Sequence, residues 1–204
     1  MSQEFVEALK KRRTYYHLGD QVEQKDADLV HLIREAIKHT PSPFHNQSTR
    51  AVVLFNEDHD KLWEIVWNHI KDANPEATAE DVQNTRDKVD RFKAAYGTVL
   101  FFEDQASVRK LEEEYPLYAE NFKLWSEQVN GGSTMNVWTA LCNAGLGANL
   151  QHYNPLIDED VRLAWNIPED WVLRSEMPFG SIEAETYEKD FIPMEERVLV
   201  FGEK

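Results

Sequence analysis

Residues 97–102, with the sequence GTVLFF, are the feature that most limits how this chain can fold. A short, continuously apolar run with β-branched and aromatic residues is typical of a strand that is covered on both faces of its sheet. Further strands are predicted at residues 50–55, 147–151 and 197–201, and another begins at Trp171. The strand at 197–201 must pair either in its own sheet or in the sheet of a partner.

Helices are predicted between these strands from apolar residues that recur every three or four positions. The predicted helices cover residues 3–11, 26–39, 58–71, 78–95, 104–114, 117–143 and 157–165. Gly131-Gly132 could interrupt the longest of them, and Gly145 is expected to cap its end in a left-handed conformation. Strands that alternate with helices indicate an α/β or α+β fold.

Length and charge limit the classes of function. The chain has 204 residues, and we predict a single domain over residues 1–204. Lys and Arg number 22 against 37 Asp and Glu, and the net charge of −15 disfavours nucleic acid and anionic membranes as partners. The single cysteine, Cys142, rules out an intrachain disulfide and a cysteine zinc site. No apolar run approaches the ~20 residues of a membrane span, and no signal peptide is recognisable, so a cytoplasmic protein is expected.

The densest positive cluster of this acidic chain is Lys10-Lys11-Arg12-Arg13, followed by Thr14. Guanidinium groups match the oxygens of a phosphate, and the threonine hydroxyl adds a neutral donor. The alternative is a solvated helix end, at which cations offset the negative end of the helix dipole.

A second polar cluster, residues 41–48 (PSPFHNQS), combines hydroxyl, amide and imidazole groups in a proline-rich loop. Such groups can contact the carbonyl and N–H edge of a flat heterocycle. The alternative is an ordinary polar turn.

Residues 144–153 (AGLGANLQHY) form a third cluster, in which small residues let the backbone approach a ligand closely. This is not a dinucleotide-binding fingerprint, because the third glycine is missing and a helix precedes it. The chain also lacks a GxxxxGK(S/T) phosphate loop, a GxSxG nucleophile elbow and an HExxH metal motif. Asp58-His59-Asp60 is interpreted as the start of a helix, and we predict no metal site.

Four motifs now stand in a fixed order along the chain. They are Arg12-Arg13-Thr14, the Pro-Ser loop with Asn46-Gln47, GLGANLQHYNP at residues 145–155, and Lys189-x-Phe191-x-Pro193-x-Glu195-Glu196-Arg197. In this order they resemble the FMN-dependent nitroreductase family, and in particular its subgroup named for the yeast fatty-acid-repression mutant. The resemblance runs from about Lys11 to Phe201.

The resemblance implies an α+β fold with a central, mostly antiparallel sheet wrapped by helices. It also implies a homodimer with two FMN sites at its interface, in which the C-terminal strand of each chain joins the partner's sheet. Members of the family transfer a hydride from NADH or NADPH to N5 of FMN and then reduce nitroaromatics, quinones or similar small acceptors in ping-pong fashion. The cofactor carries this chemistry, so no acid–base pair is expected in the protein.

The resemblance also assigns residues to the FMN site. Arg12, Arg13 and Thr14 match the segment that contacts the phosphate, the ribityl chain and the pyrimidine edge. Ser42, Asn46 and Gln47 match the loop that reaches the flavin of the other protomer. Leu150, Gln151 and His152 match the stretch at the isoalloxazine edge near N5. Lys189 matches a phosphate-binding lysine, and Arg197 is expected to assist it.

Two departures from the family pattern leave one role open. Tyr16 and Phe191 stand where many relatives carry a lysine and an arginine. The positive charge expected near N1 and O2 of the flavin is therefore unassigned, and Lys93 is the candidate.

Two other functions stay open at this point. A non-enzymatic flavin-binding regulator of redox or lipid responses would use the same fold, because fold does not fix function. A helical structural module would need no cofactor and none of these residues. Between the two nicotinamide donors, the acidic chain favours NADH, because the extra phosphate of NADPH would meet a negative field.

Overall fold

The computed structural model describes residues 3–73 and 75–203 of the chain. Its helices are α1 (Glu4–Lys11), α2 (Asp26–Lys38), α3 (Asn56–Ile70), α4 (Ala79–Lys93), α5 (Gln105–Glu114), α6 (Ala119–Asn143), α7 (Asp158–Ala164) and α8 (Met194–Arg197). Its strands are β1 (Leu18–Gly19), β2 (Thr49–Phe55), β3 (Gly97–Asp104), β4 (Gly147–Ala148) and β5 (Trp171–Ile182). Single turns of 3-10 helix lie at Pro43–His45 and Pro116–Tyr118. Each of the seven predicted helices is confirmed to within two residues at its ends.

The strands form a sheet with the order β1-β5-β3-β2, and β4 pairs with β5 off that path. Every pairing between these strands is antiparallel, so the predicted α+β class with a mostly antiparallel sheet is confirmed. β3 lies between β5 and β2, and all eight of its residues are buried, as the run at 97–102 predicts. β2 forms an edge of the sheet, and within the described chain only β3 pairs with it.

Helices cover both faces of the sheet. Side chains alternate along a strand, so Leu100 and Phe102 of β3 join a core that α3, α4 and α7 build around Trp63. Val99 and Phe101 face the other way and pack against α2 and α6. Burial of one large apolar side chain stabilises a fold by about 1.5–3 kcal/mol, so β3 is held from both sides.

α6 runs unbroken through Gly131-Gly132, so the interruption that these glycines could cause does not occur. Each glycine costs a helix roughly 1 kcal/mol relative to alanine. Tertiary contacts offset this cost, since the helix packs on α2 and the buried Asn130 amide donates to the carbonyl oxygen of Phe102 at 2.9 Å. Gly145 follows the helix with a φ of 90°, which confirms the predicted left-handed cap.

The predicted strand at residues 197–201 is wrong for the single chain. α8 ends at Arg197, and residues 198–203, which we call the C-terminal arm, form no strand. Leu199, Val200 and Phe201 are exposed. A strand needs a neighbour with which it can exchange main-chain hydrogen bonds, and no strand of the described chain lies beside the arm.

Two shorter elements also differ from prediction. The strand predicted at 147–151 is reduced to β4 and a single bridge between Gln151 and Glu176. β1, which has two residues, is not predicted at all, because two residues carry no period. Its antiparallel pairing with β5 brings Leu18 opposite Ile182 and so places the N-terminal segment along the sheet.

Candidate functional site

The segment after α1 and the segment after α6 lie side by side. Thr14 forms a parallel bridge with Ala148, and the N–H of Tyr15 donates to the carbonyl oxygen of Ala148 at 3.0 Å. The buried side-chain amide of Asn149 donates to the carbonyl oxygen of Tyr15 at 2.8 Å. These bonds bring the first basic cluster of the sequence next to the third polar cluster.

Three positive side chains, those of Arg12, Arg13 and Lys189, lie together at this junction. Partial desolvation and the charges of the two arginines hold the pKa of the exposed Lys189 below its ordinary value. In residues 3–73 and 75–203, no carboxylate lies within ion-pair distance of any of the three. Arg12 lies over the Trp138 ring at 4.5 Å, and Arg13 donates to the carbonyl oxygen of Tyr187. Positive groups without a counter-charge form a site for an anion such as phosphate.

The helix-end alternative accounts for Lys10 but not for the two arginines. Lys10 lies in the last turn of α1 and forms an ion pair with Glu7 at 2.8 Å. Arg12 has already left the helix, with a ψ of 113°, and its side chain is directed to Trp138. Arg12 and Arg13, which lie near Lys189, are therefore not explained by a role in stabilising the C-terminal end of α1.

A cavity of about 370 Å³ opens beside Thr14. Its lining includes Tyr16, Lys88 and Arg91, and residues 184–187 contribute another part of the wall. Lys88 and Arg91 belong to α4, so two further cations face the space beside Thr14. Neither residue stands out in the sequence, because α4 has the charge pattern of a solvated helix. Only their spacing of three, which places them on one face of the helix, is visible beforehand.

Lys93, the sequence candidate for the charge near N1 and O2, is occupied elsewhere. Its ammonium group pairs with Glu64 of α3 at 2.8 Å. Hydrogen bonds from Arg86 and Lys93 lower the pKa of Glu64 to about 2, so the carboxylate stays ionised. Lys93 does not line the cavity beside Thr14, and Lys88 and Arg91 are the better candidates.

The third cluster, residues 144–153, has a main chain held by hydrogen bonds and an exposed histidine, His152. Gln151 exchanges two main-chain hydrogen bonds with Glu176, at 2.7 and 3.0 Å, and its side chain donates to Asn149 Oδ1 at 2.8 Å. Leu150 packs against the α2–α6 core, and His152 is exposed. The segment is thus held rigidly along β5 and leaves the imidazole open to solvent.

The loop that carries Ser42, Asn46 and Gln47 lies apart from this junction. It packs beside α6 and the turn at Pro116–Tyr118, where the Phe44 ring lies 4.5 Å from that of Tyr115. No hydrogen bond or ion pair of the described residues joins the loop to Arg12, Arg13 or Lys189. Within one chain the structure therefore assembles Arg12–Thr14, Leu150–His152 and Lys189, but not Ser42, Asn46 or Gln47.

The loop that carries Ser42, Asn46 and Gln47 has a strained backbone. Phe44, His45 and Gln47 have φ values of 51°, 55° and 51°, in a region that non-glycine residues rarely adopt. Such conformations cost on the order of 1–3 kcal/mol each and concentrate at functional sites. Ser42 Oγ accepts from the N–H of Gln47 at 3.0 Å and stabilises the turn, whereas Asn46 Oδ1 is buried without a partner in the described chain.

Arg197 is the last predicted site residue. It ends α8, is exposed, and forms no ion pair within the described residues. The structure does not bring it into the Arg12–Arg13–Lys189 cluster. The described chain also has no cluster of three or more His, Cys, Asp or Glu that could hold a metal ion. None of its described helices is long and apolar enough to cross a bilayer.

Similarity to known proteins agrees with this geometry. The family model described as the nitroreductase family matches residues 9–181. The nitroreductase FRM2 of Saccharomyces cerevisiae is 32% identical over 190 residues, which cover 92% of this chain and 93% of that protein.

Solved structures share the fold as well. Nitroreductase CinD from Lactococcus lactis, in complex with chloramphenicol, is 48% identical and superposes with a TM-score of 0.89 over 97% of this chain and 100% of that chain. A structure from Desulfovibrio desulfuricans in complex with FMN superposes with a TM-score of 0.69 at 20% identity, over 100% of both chains.

Proposed function

The chain belongs to the nitroreductase family of oxidoreductases, and we propose that it binds FMN and uses NADH or NADPH to reduce nitroaromatics, quinones or related small acceptors. The observation that carries the proposal is the cluster of Arg12, Arg13 and Lys189, which forms no ion pair with a carboxylate of residues 3–73 and 75–203 and lies beside residues 148–152. In a chain with a net charge of −15, such a cluster indicates a bound anion. We take residues 1–204 as one FMN-binding domain.

The residues at this junction fit FMN. A phosphate dianion is costly to bury unless several donors meet it. Arg12, Arg13 and Lys189 supply charge and donors, and the Nε of Arg13 is buried without a partner in the described chain, so one donor is free. Thr14 lines the adjacent cavity, whose 370 Å³ lies within the usual size of ligand pockets, about 300–1,000 Å³.

When bound, FMN supplies the redox chemistry, taking a hydride at N5 from the nicotinamide and then reducing the acceptor in ping-pong order. We assign to Lys88 and Arg91 the positive charge on the N1 and O2 side. Cations that are already in place where negative charge develops stabilise the reduced form at little reorganisation cost. Leu150, Gln151 and His152 line the edge near N5, and the bonds from Gln151 to Glu176 keep this segment in one position.

A homodimer with exchanged arms is part of the proposal, and two surfaces support it. The open edge of β2 is continuous with a groove of about 450 Å³ against α2, with an apolar floor that includes Ile33 and Val53. The C-terminal arm carries Leu199, Val200 and Phe201 exposed, so it offers an apolar segment that can add to that edge.

The dimer also gives roles to the residues that one chain leaves apart. Ser42, Asn46 and Gln47 reach the flavin of the other protomer, with the unpartnered Asn46 Oδ1 as a free acceptor. Arg197, which precedes the arm, assists the phosphate site after the arm has moved.

Nitroaromatic acceptors are favoured by similarity. CinD, which is 48% identical to this chain, was solved with chloramphenicol, a nitroaromatic compound. The acidic charge argues against nucleic acid and anionic membranes as partners. A single cysteine in 204 residues suits the reducing cytoplasm, where we place the enzyme.

The test is the visible spectrum of the purified protein with FMN, before and after anaerobic NADH. We expect flavin absorption that bleaches with NADH and returns when a nitroaromatic acceptor is added. A flavin that binds but does not bleach would favour the non-enzymatic regulator. Protein that stays colourless with excess FMN would refute the proposal.

A matched pair of variants tests the phosphate site. Arg12→Ala is expected to weaken FMN binding at least tenfold, or ~1.4 kcal/mol, as measured by flavin fluorescence quenching. Arg162→Ala removes the same side chain from α7, where it pairs with Glu159 at 2.8 Å, and should bind FMN as the parent protein does. Equal binding by both variants would remove Arg12 from the site.

A further inference from the structure

Glu176 is a buried carboxyl group that lies directly behind the segment assigned to the flavin edge. It belongs to β5, and no part of it is exposed to solvent. A buried acid is costly unless it has a specific role or partner. The proposed function, on which this inference rests, gives the neighbouring segment a role but none to Glu176.

Three hydrogen bonds join Glu176 to that segment. Its N–H and carbonyl oxygen bond to Gln151 at 3.0 and 2.7 Å, and its side-chain Oε2 accepts from the N–H of Tyr153 at 2.9 Å. The Tyr153 ring in turn lies 6.1 Å from that of Trp63 in the core, with the two rings edge to face. One residue of the central sheet thus fixes the main chain on both sides of the exposed His152.

The other carboxyl oxygen of Glu176, Oε1, is buried and has no partner in the described chain. No ion pair of the described residues involves Glu176. The bond to the Tyr153 N–H is therefore the contact that gives this carboxyl group a structural role.

We propose that Glu176 is a positioning residue, whose carboxyl group holds the main chain of residues 151–153 in the position that the flavin edge requires. Removal of the acceptor frees the Tyr153 N–H, which then needs another partner, and the segment moves. FMN binding and the environment of the isoalloxazine ring change together as a result.

Charge around the carboxyl group makes the position sensitive to pH. Burial, with a smaller contribution from Asp158 of α7, raises the pKa of Glu176 to about 8. The Tyr153 phenol also faces this region, and burial raises its pKa to about 12, so it stays neutral over the range of interest. Arg174 acts on Asp158, lowering the pKa of that group, which burial raises overall. The buried carboxyl group therefore holds its proton more tightly than an exposed glutamate does, and its ionisation at alkaline pH places an uncompensated negative charge behind the segment.

Two substitutions at Glu176 distinguish an effect on the main-chain position of residues 151–153 from an effect on the stability of the protein. Glu176→Gln keeps an acceptor for Tyr153, whereas Glu176→Leu removes it with little change of volume. Leu111→Ala, which opens a cavity in the separate cluster of α5 and α6, is a control for destabilisation alone. The dissociation constant of FMN and the visible spectrum of the bound flavin are measured for each protein.

We expect Glu176→Leu to weaken FMN binding at least tenfold and to shift the flavin absorption bands. Glu176→Gln should restore the affinity to within threefold of the parent at pH 7, and Leu111→Ala should keep affinity and spectrum despite its lower stability. Parent-like affinity and spectrum in Glu176→Leu would overturn the inference.

A pH series keeps the inference testable even if Glu176→Leu does not fold. Between pH 7 and 9 the parent should lose FMN affinity several-fold as the buried carboxyl ionises, and Glu176→Gln should lose much less. Identical pH profiles for the two proteins would overturn the inference while leaving the proposed function intact. A parent protein that binds no FMN at any pH would refute the proposed function, and with it this role.

Discussion

Glu103 allows a stability prediction that does not depend on which small molecule the protein reduces. It lies near the end of β3, its side chain is fully buried, and its Oε2 accepts from the Asn130 amide at 3.3 Å. Burial raises its pKa from 4.5 to about 7, and the hydrogen bond from Asn130 opposes part of the shift. The perturbation is Glu103→Gln, which keeps an oxygen that accepts the hydrogen bond from Asn130 and removes the ionisable carboxyl group.

The sign of the pH dependence follows from how tightly the folded and unfolded chains bind the Glu103 proton. Between pH 4.5 and 7 the folded protein holds the Glu103 proton more tightly than the unfolded chain does, so the free energy of unfolding falls as pH rises. At about 1.4 kcal/mol per pKa unit the shift corresponds to about 3 kcal/mol. Relaxation of the protein around a buried charge reduces this cost, and we expect about 2 kcal/mol.

Urea unfolding at pH 5 and pH 8 measures this effect, at one protein concentration and with saturating FMN. The variant should match the parent at pH 5 and be more stable by about 2 kcal/mol at pH 8. Glu176 titrates in both proteins, so its contribution cancels in the difference. An equal difference in stability at the two pH values would refute the reasoning, because it would mean that Glu103 titrates alike in the folded and unfolded chain.

Three further predictions concern the cavity, the arm and the glycines. Arg91→Ala should lower the reduction potential of bound FMN by about 30 mV, equivalent to ~1.4 kcal/mol for two electrons, and an unchanged potential by spectroelectrochemistry would exclude Arg91 as the stabilising cation. Deletion of residues 198–204 should convert the proposed dimer to monomers in size-exclusion chromatography with light scattering, and a variant that stays dimeric would show that the arm is dispensable. Gly180→Ala should lower the melting temperature strongly, because its methyl group would overlap the Gly19 carbonyl oxygen and come within 2.9 Å of the Tyr96 nitrogen. Gly131→Ala, which meets nothing within 4 Å, should raise it by a few degrees, and the opposite order in calorimetry would contradict both assignments.

The central part of the fold could be predicted because its signals are local. The run at 97–102 becomes β3, buried along its whole length, and the apolar period of residues 26–39 becomes α2. Apolar period and strand composition depend only on nearby residues, so one chain suffices to read them. The strand at 197–201 depends on a neighbour that the sequence does not specify, and there the prediction fails for the single chain.

The candidate site was predictable only in part, for the same reason. Arg12 and Arg13 are conspicuous as a basic cluster in an acidic chain, and the structure brings them to Lys189. Lys88 and Arg91 look like any exposed cations until α4 packs beside the segment that follows Thr14. The strained backbone of the loop at Phe44 is not visible in the sequence either, since phenylalanine seldom adopts a left-handed conformation.

The open edge of β2 and the apolar C-terminal arm have a consequence for how copies of the chain assemble. If one copy adds its arm to the β2 edge of a second copy but receives no arm from it, one edge and one arm remain exposed. The contact can then repeat from copy to copy and form an open chain of molecules. Reciprocal exchange between two copies uses both edges and both arms at once and ends growth. A closed pair therefore protects each protomer from uncontrolled strand addition, which is the usual hazard of an unpaired sheet edge.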